Sequence, residues 1–402
     1  MFELPPTPLA NAFMKTREEA VALKKYPLSI NTCRRCGHHQ LGIVVDPTLM
    51  FSNYAYASGT SESFRNHFTE YAREIYRRYG RMNAAPYDNG PPSQYSPRRL
   101  SLPKFSVLEV GSNDGTMMKA LFSAGATHVR GVEPAVNLAK QCTDEGLNVT
   151  CAFFDEQVAT NPNLAGTDFW VANNVLAHVD DFVGTLKALA LTGAKAGVFE
   201  VQYLGALLDG GMFDMVYHEH IDYWRATELV EHLHKHTQWF VHDVELVPTH
   251  GGSLRVWVTR RAEGAHPDYH MPDLEVVHAE RKRNWPEACH AVSTKMEAER
   301  KQLWALLGDG KRVAIFGAPA KLTTLLYGLR ITNLNFSYIV DDSPLKQGLY
   351  APGTGLWVTK PEQLKLDPPD AVLVGAWNFA KHIVPRVADL CPGIPIVTPF
   401  DK

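Results

Sequence analysis

Tyr217-His-Glu-His220 puts four hydrogen-bonding or proton-handling side chains in a row. Such density is unusual outside a site. A glutamate beside histidine and tyrosine suits proton abstraction, because the acid orients and charges the imidazole. His218 and His220 have His-x-His spacing but no clear third ligand, which argues against a metal here. His-Glu-x-x-His is absent, so a zincin is excluded. A second stretch, Phe169 to His178, reads as a strand running into a polar end. Ligands of doubly wound sheets sit at the carboxyl ends of strands, which places Asn173, Asn174 and His178 against cofactor or substrate. The plainer alternative is that the two asparagines close a turn.

A cofactor corner lies upstream. In Ser106-Val-Leu-Glu-Val-Gly-Ser-Asn-Asp-Gly115 an apolar strand enters a tight turn and a helix starts after it. The next strand, Val129–Val132, ends in Glu133, where a ribose diol would be held. A dinucleotide site would show Gly-x-Gly-x-x-Gly. Here the turn has only Gly111 and Gly115, with Asn113 and Asp114 between them, and no pyrophosphate has to be cradled. That pattern suits S-adenosylmethionine (SAM). The bland alternative is an ordinary strand–turn–helix.

Three further motifs carry chemistry. Cys33-Arg-Arg-Cys36-Gly37 is half of a zinc-ribbon knuckle. Structural zinc takes four ligands, and Cys142, Cys151, Cys289 and Cys391 stand alone, far along the chain. His38 or His39 could supplement the pair, or the knuckle could be held by local packing. Asn53 to Ser61 carries Tyr54, Tyr56 and Ser58; it reads either as a lid over a sugar-like ligand or as a plain loop. Arg312 to Lys321 is a second strand–glycine–helix corner, and its single Gly317 cannot define a dinucleotide site.

The elements that must position these groups are read from periodicity. Pro5 to Lys25 is mixed and loop-like, and Ser63 to Tyr79 predicts an amphipathic helix with Phe64, Phe68, Tyr71 and Ile75 on one face. Strand and helix patterns alternate from Ser106, which implies a parallel sheet. Ala291 to Leu307 predicts a connecting helix. The expected divisions are 1–80 for knuckle and lid, 81–104 for an exposed insertion, 105–265 for the sheet domain and 285–402 for a second α/β unit. A net charge of −3 gives no sign of a nucleic-acid or membrane-surface binder. No apolar run is long enough to span a bilayer, the N-terminus lacks signal-peptide features, and six cysteines form no disulfide framework. A reducing cytoplasm is the expected compartment. Nothing in the sequence fixes an oligomeric state.

Taken together, these pieces resemble the SAM-dependent sugar C-methyltransferase family, which acts on nucleotide-linked ketosugars. The matching segments are the Cys33 knuckle, Tyr54 to Ser61, Glu109 to Gly115 and Asn173 to His178. Tyr217 to His220, His250-Gly-Gly-Ser253, Gly317 to Lys321 and Asp341 to Gly348 complete the set. They cover nearly the whole chain in the family's order. The family's first Cys-x-x-Cys pair, upstream of Pro8-Leu-Ala-Asn11, is missing from this sequence. Cys33 and Cys36 are therefore a half site, and any zinc should be weak and easily stripped.

The resemblance implies a class I SAM-methyltransferase doubly wound sheet, with a small N-terminal knuckle segment and a C-terminal Rossmann-like α/β domain. It implies that the C-terminal unit helps enclose the nucleotide-sugar, with Lys321 on a phosphate; a packing domain is the alternative. Methylating a sugar carbon next to a ketone requires removal of its proton. His220 is the expected base, oriented by Glu219. Tyr217 and His178 are expected to stabilise the enolate or shuttle protons, and Tyr217 and His220 could exchange roles. Competing readings are an O- or N-methyltransferase on another small molecule, a non-catalytic nucleotide-sugar binder, and an NAD-linked enzyme using the C-terminal corner.

Overall fold

Three sheets organise the described residues. Residues 2–82, 104–261, 274–308, 310–332 and 334–400 are described by a computed structural model. The insertion expected over 81–104 lies almost wholly outside them. The central sheet has seven strands in the order Trp239–Val247, Ser253–Arg260, Ala196–Gln202, Phe169–Asn173, Ser106–Val110, His128–Val132, Asn148–Thr150. Ser253–Arg260 runs antiparallel to both its neighbours, and the remaining pairs are parallel. Ser106–Val110 lies between two later strands, His128–Val132 and Phe169–Asn173. The chain reverses its winding there and opens a cleft at the strand ends. All five residues of Ser106–Val110 are buried, as its continuous apolar reading requires.

The expected amphipathic helix is Glu62–Tyr79. It buries Phe64, Phe68, Tyr71, Ala72 and Ile75 in one cluster with Met117, Met118, Leu121 and Trp257 of the central domain. The C-terminal unit is a five-stranded parallel sheet in the order Val358–Thr359, Phe336–Val340, Val313–Phe316, Ala371–Val374, Ile396–Val397. The connecting helix starts earlier than its charge pattern suggests, at Trp285–Leu307. The Asn284 side chain caps it and Pro286 stands in its first turn, where a missing N–H costs nothing.

The N-terminal segment departs from its loop-like reading. Phe2–Thr7 is a strand paired antiparallel with Tyr26–Thr32. Its register shifts between Leu4 and Thr7, where Pro5 and Pro6 cannot donate to the ladder; an edge strand tolerates this. His39–Leu41 and Asp222–Tyr223 complete this four-stranded sheet. The segment after His220 is thus clamped to the N-terminal sheet. Leu4, Leu28, Ile30 and Leu41 share a core with Phe213, Met215 and Val216, and with Leu322, Leu325 and Leu326 of the C-terminal unit. Residues 213–216 are wedged between two units, and this anchors the adjoining stretch from Tyr217 to His220. Among the described residues, no helix is long and apolar enough to cross a membrane.

Candidate active site

The wedged segment delivers Tyr217 and His220. The His220 Nδ1 lies 2.9 Å from the Met215 carbonyl oxygen, which can only accept, so Nδ1 carries the proton. Nε2 is then the lone-pair nitrogen, and the Tyr217 hydroxyl donates to it at 2.9 Å. Burial drives the His220 pKa well below its usual 6.5 and the Tyr217 pKa well above 10, so both are neutral at rest. His178 joins them with its ring 4.9 Å from that of His220 and stacked on Phe51 at 5.6 Å. Burial, then the nearby His250, lower its pKa to about 3. The loops of His178 and His220 are tied together, since the Ile221 and Asp222 amides both donate to the Ala177 carbonyl.

One expectation for this segment is corrected. Glu219 does not orient His220; the Met215 carbonyl does. The Glu219 carboxylate instead accepts from the Tyr54 hydroxyl at 2.6 Å and the Asn11 amide at 2.8 Å. Burial raises its pKa to about 7 against these two bonds. His218 points away, its Nε2 3.0 Å from the Pro27 carbonyl, so the His-x-His spacing brings no shared site.

At the cofactor corner Gly111 and Gly115 have φ of +69° and +74°. A Cβ at Gly111 would come 2.3 Å from Val175, and one at Gly115 2.3 Å from Leu147. Turn geometry and packing both require glycine there. Glu133 ends its strand with each carboxylate oxygen taking a backbone N–H, Asn113 at 2.8 Å and Ala135 at 2.9 Å. Asp114 holds the Gly59 amide at 2.7 Å and the Thr116 hydroxyl at 2.7 Å. The Asn173 side chain is buried with neither polar atom partnered, a demand that a polar ligand group would meet. Asn174 takes a left-handed turn at φ +54°, and its N–H goes to the Glu200 carbonyl. Glu109, Asp114 and Glu133 form an acidic cluster; burial, then its two acidic neighbours, raise the Glu109 pKa strongly, and burial raises that of Glu133. A corner of acidic side chains with unmet polar groups fits a nucleoside such as SAM.

The stretch 53–61 packs against this corner. Asn113 accepts from the Ser58 amide at 2.9 Å and donates to the Tyr56 carbonyl at 3.1 Å. Opposite stands the C-terminal corner. Lys321 lies 3.4 Å over the Trp377 ring, beside Asn378 and Asp214; burial, opposed by Asp214, lowers its pKa to about 7. The Trp377 indole N–H donates to Asp214 at 2.6 Å, and the Thr324 hydroxyl to the Val216 carbonyl at 2.9 Å. The C-terminal unit therefore grips the residues just before Tyr217. Lys346 and Arg386 line the same wall. Between the two corners lies a cavity of about 1260 Å³. That exceeds the roughly 300–1,000 Å³ of a pocket for one drug-sized ligand and leaves room for two.

Tyr54, Tyr56, Ser58, His178, Tyr217, His220 and Lys321 all line this cavity with Gly111, Asn113, Asp114, Glu133, Asn173 and Asn174, so folding gathers side chains from all three units; Gly115 and Glu219 stand behind its wall. Cys33 and Cys36 lie outside it. The Cys36 amide, then that of Arg35, hold the Cys33 thiol below its usual pKa, which favours a thiolate ligand. Among the described residues no group of three His, Cys, Asp or Glu is placed to hold a metal, so the pair is half of what structural zinc needs. Sequence reasoning missed Asn11 and the Met215 carbonyl. Asn11 has a left-handed φ of +59°, and only its position in Pro8-Leu-Ala-Asn11 could have flagged it.

Three family models match in succession. One described as "Putative zinc binding domain" matches residues 1–51, "Methyltransferase domain" matches 64–237, and "C-methyltransferase C-terminal domain" matches 248–397. The C-methyltransferase NovU of Streptomyces niveus is 29% identical over 390 residues, which cover 94% of this chain and 87% of NovU. Among solved structures, magnesium protoporphyrin IX methyltransferase of Synechocystis PCC 6803 with bound SAH aligns at 13% identity and a TM-score of 0.35. That alignment covers 49% of this chain and 83% of the other. The N-terminal domain of EvdMO1 with SAH bound aligns at 15% identity and a TM-score of 0.33, covering 48% of this chain and 81% of the other.

Proposed function

We propose that this chain, which belongs to the SAM-dependent C-methyltransferases, acts on the carbon next to the ketone of a nucleotide-linked deoxyketosugar, by way of an enolate. The observation that carries the reading is the neutral Tyr217–His220 pair in the wall between two unlike corners. When bound, SAM supplies an electrophilic methyl group. The chain's residues supply the rest. Gly111, Asn113, Asp114, Gly115, Glu133, Asn173 and Asn174 would hold SAM at the anionic corner. Lys321 and Lys346 would meet the sugar nucleotide's phosphates at the other. Tyr54, Tyr56 and Ser58 would close the lid.

Because Nε2 of His220 already accepts from Tyr217, the α-proton reaches His220 through the Tyr217 oxygen. That oxygen takes the proton from carbon as its own proton passes to Nε2. The buried imidazolium is costly alone and becomes favourable only opposite the negative enolate, so the pair is charged when the reaction needs it. The Met215 carbonyl holds the ring through both states.

Mass spectrometry and NMR of the product formed with SAM and a panel of dTDP-, GDP- and CDP-ketosugars test this. The expected product carries a new methyl on carbon beside the ketone. Methylation at oxygen, or SAM binding with no product across the panel, would contradict it.

A further inference from the structure

His250 stands on the loop between the strands Trp239–Val247 and Ser253–Arg260 and lines the cavity. Its backbone is left-handed, at φ 53° and ψ 26°, and Gly251 and Gly252 come next at φ +85° and +131°. A Cβ at Gly251 would come 2.7 Å from the Met212 sulfur, and one at Gly252 2.5 Å from the Ala206 Cβ. Positive φ at both positions, and the Ala206 contact at Gly252, reserve them for glycine. Position 250 carries a side chain, and the room it has is the cavity. Such a backbone is uncommon outside glycine, and histidine is, with asparagine and aspartate, among the residues that adopt it most readily.

The ring lies 5.1 Å from Phe64 and has no hydrogen-bond partner among the described residues. His178 is another unpartnered imidazole of the cavity: its ring stacks on Phe51 and is tilted against His220, and its Nε2 is buried without a hydrogen-bond partner among the described residues. Burial, then the Lys321 charge, lower the His250 pKa to about 4, with Glu200 opposing and His67 adding. The ring is neutral at pH 7 and keeps one N–H to donate. It is near enough to influence both His178 and His220 electrostatically.

We propose that His250 is a catalytic residue whose imidazole N–H donates to the substrate's carbonyl oxygen as that oxygen becomes the enolate. This rests on the deprotonation reading above. The α-carbon–hydrogen bond breaks and the proton goes to the Tyr217–His220 pair. The bond's electrons form the carbon–carbon double bond, and the carbonyl π pair moves onto the oxygen held by His250. No oxidant or reductant is required. A preset neutral donor at that oxygen lowers the barrier without a charge that would hold the ground state equally well.

The test is exchange of the α-proton in deuterated water without SAM, monitored by NMR, together with methyl-transfer kinetics. His250→Gly keeps the backbone free to turn left and removes the donor. His250→Asn also tolerates the turn and restores an N–H without a base. His250→Gly should slow exchange and kcat about 10²–10³-fold, with SAM affinity unchanged by calorimetry. His250→Asn should recover at least about tenfold of that loss, a rescue that a purely structural or basic role would not give. Exchange by His250→Gly at the wild-type rate, or no recovery in His250→Asn, overturns the inference alone. A wild-type enzyme that methylates carbon without exchanging the α-proton overturns the deprotonation reading and this inference with it.

Discussion

The two glycine corners share one design and differ in charge. In each, an acid after the second strand takes an N–H from the turn of the first. Glu133 takes the Asn113 amide at 2.8 Å, and Asp341 takes the Ala318 amide at 2.6 Å. The central corner gathers Glu109, Asp114 and Glu133 at its turn and strand ends. The C-terminal corner is mixed: Lys321 lies beside Asp214, Lys346 donates to the Ala318 carbonyl with Asp341 3.9 Å away, and Arg386 pairs with Asp342. Backbone topology builds the same cradle twice and surrounds it with different charged side chains. On the proposed function SAM takes the first and the sugar nucleotide's phosphates the second. The Tyr217–His220 pair stands between them, held by residues that touch both units.

If that division holds, variants should separate chemistry from binding. The largest effect is expected for His220→Ala, which leaves both corners intact. Methyl transfer should fall about 10²–10⁴-fold, while calorimetric affinities for SAM and for the sugar nucleotide stay near wild type. Loss of either affinity would break the division. Glu133→Ala should weaken SAM binding by about 1–3 kcal/mol and spare the sugar nucleotide. Lys321→Met should do the reverse, raising KM for the sugar nucleotide about tenfold, the order expected for a lost charge-assisted contact.

The charge difference also predicts pH behaviour. The Lys321 pKa is lowered to about 7, so the free enzyme loses that cation as pH rises through 7. KM for the sugar nucleotide should climb over that range, SAM affinity should not, and Lys321→Met should flatten the profile. Glu219, raised to about 7 from 4.5, carries a linked effect on stability. Its contribution is full below about 4.5 and is lost as pH rises through about 7. Thermal unfolding of Glu219→Gln should lack that decline. The smallest effect is expected at the knuckle, which lies outside the cavity. Cys33→Ser should leave kcat within about twofold, since surface changes away from the site are usually near neutral. Metal analysis of protein purified without added zinc should find it substoichiometric.

Local patterns made the central corner legible, because strand, turn and acid lie within 28 residues of one another, from Ser106 to Glu133. The helix Glu62–Tyr79 was legible from its aromatic spacing. The strand Phe2–Thr7 was not, since two prolines hide it and only its partner reveals it. The orienter of His220 was also hidden. It is a backbone carbonyl, which every residue owns, so side-chain chemistry favoured Glu219 instead. Glu219 meets Asn11 across 208 residues, a pairing that depends on the N-terminal sheet docking beside the catalytic segment. His250 stood in plain view in His250-Gly-Gly-Ser253. Its role was hidden because only the folded loop, with its positive φ and the Ala206 contact, explains why two glycines stand beside it.

The central claim is that proton removal precedes methylation and runs through Tyr217 to His220. Its most direct test is NMR of a nucleotide-linked ketosugar in deuterated water, without SAM, over the wild type, Tyr217→Phe and His220→Ala. The wild type should exchange the α-proton, and both variants should lose exchange by at least about 10²-fold. Wild-type exchange rates in both variants would contradict it.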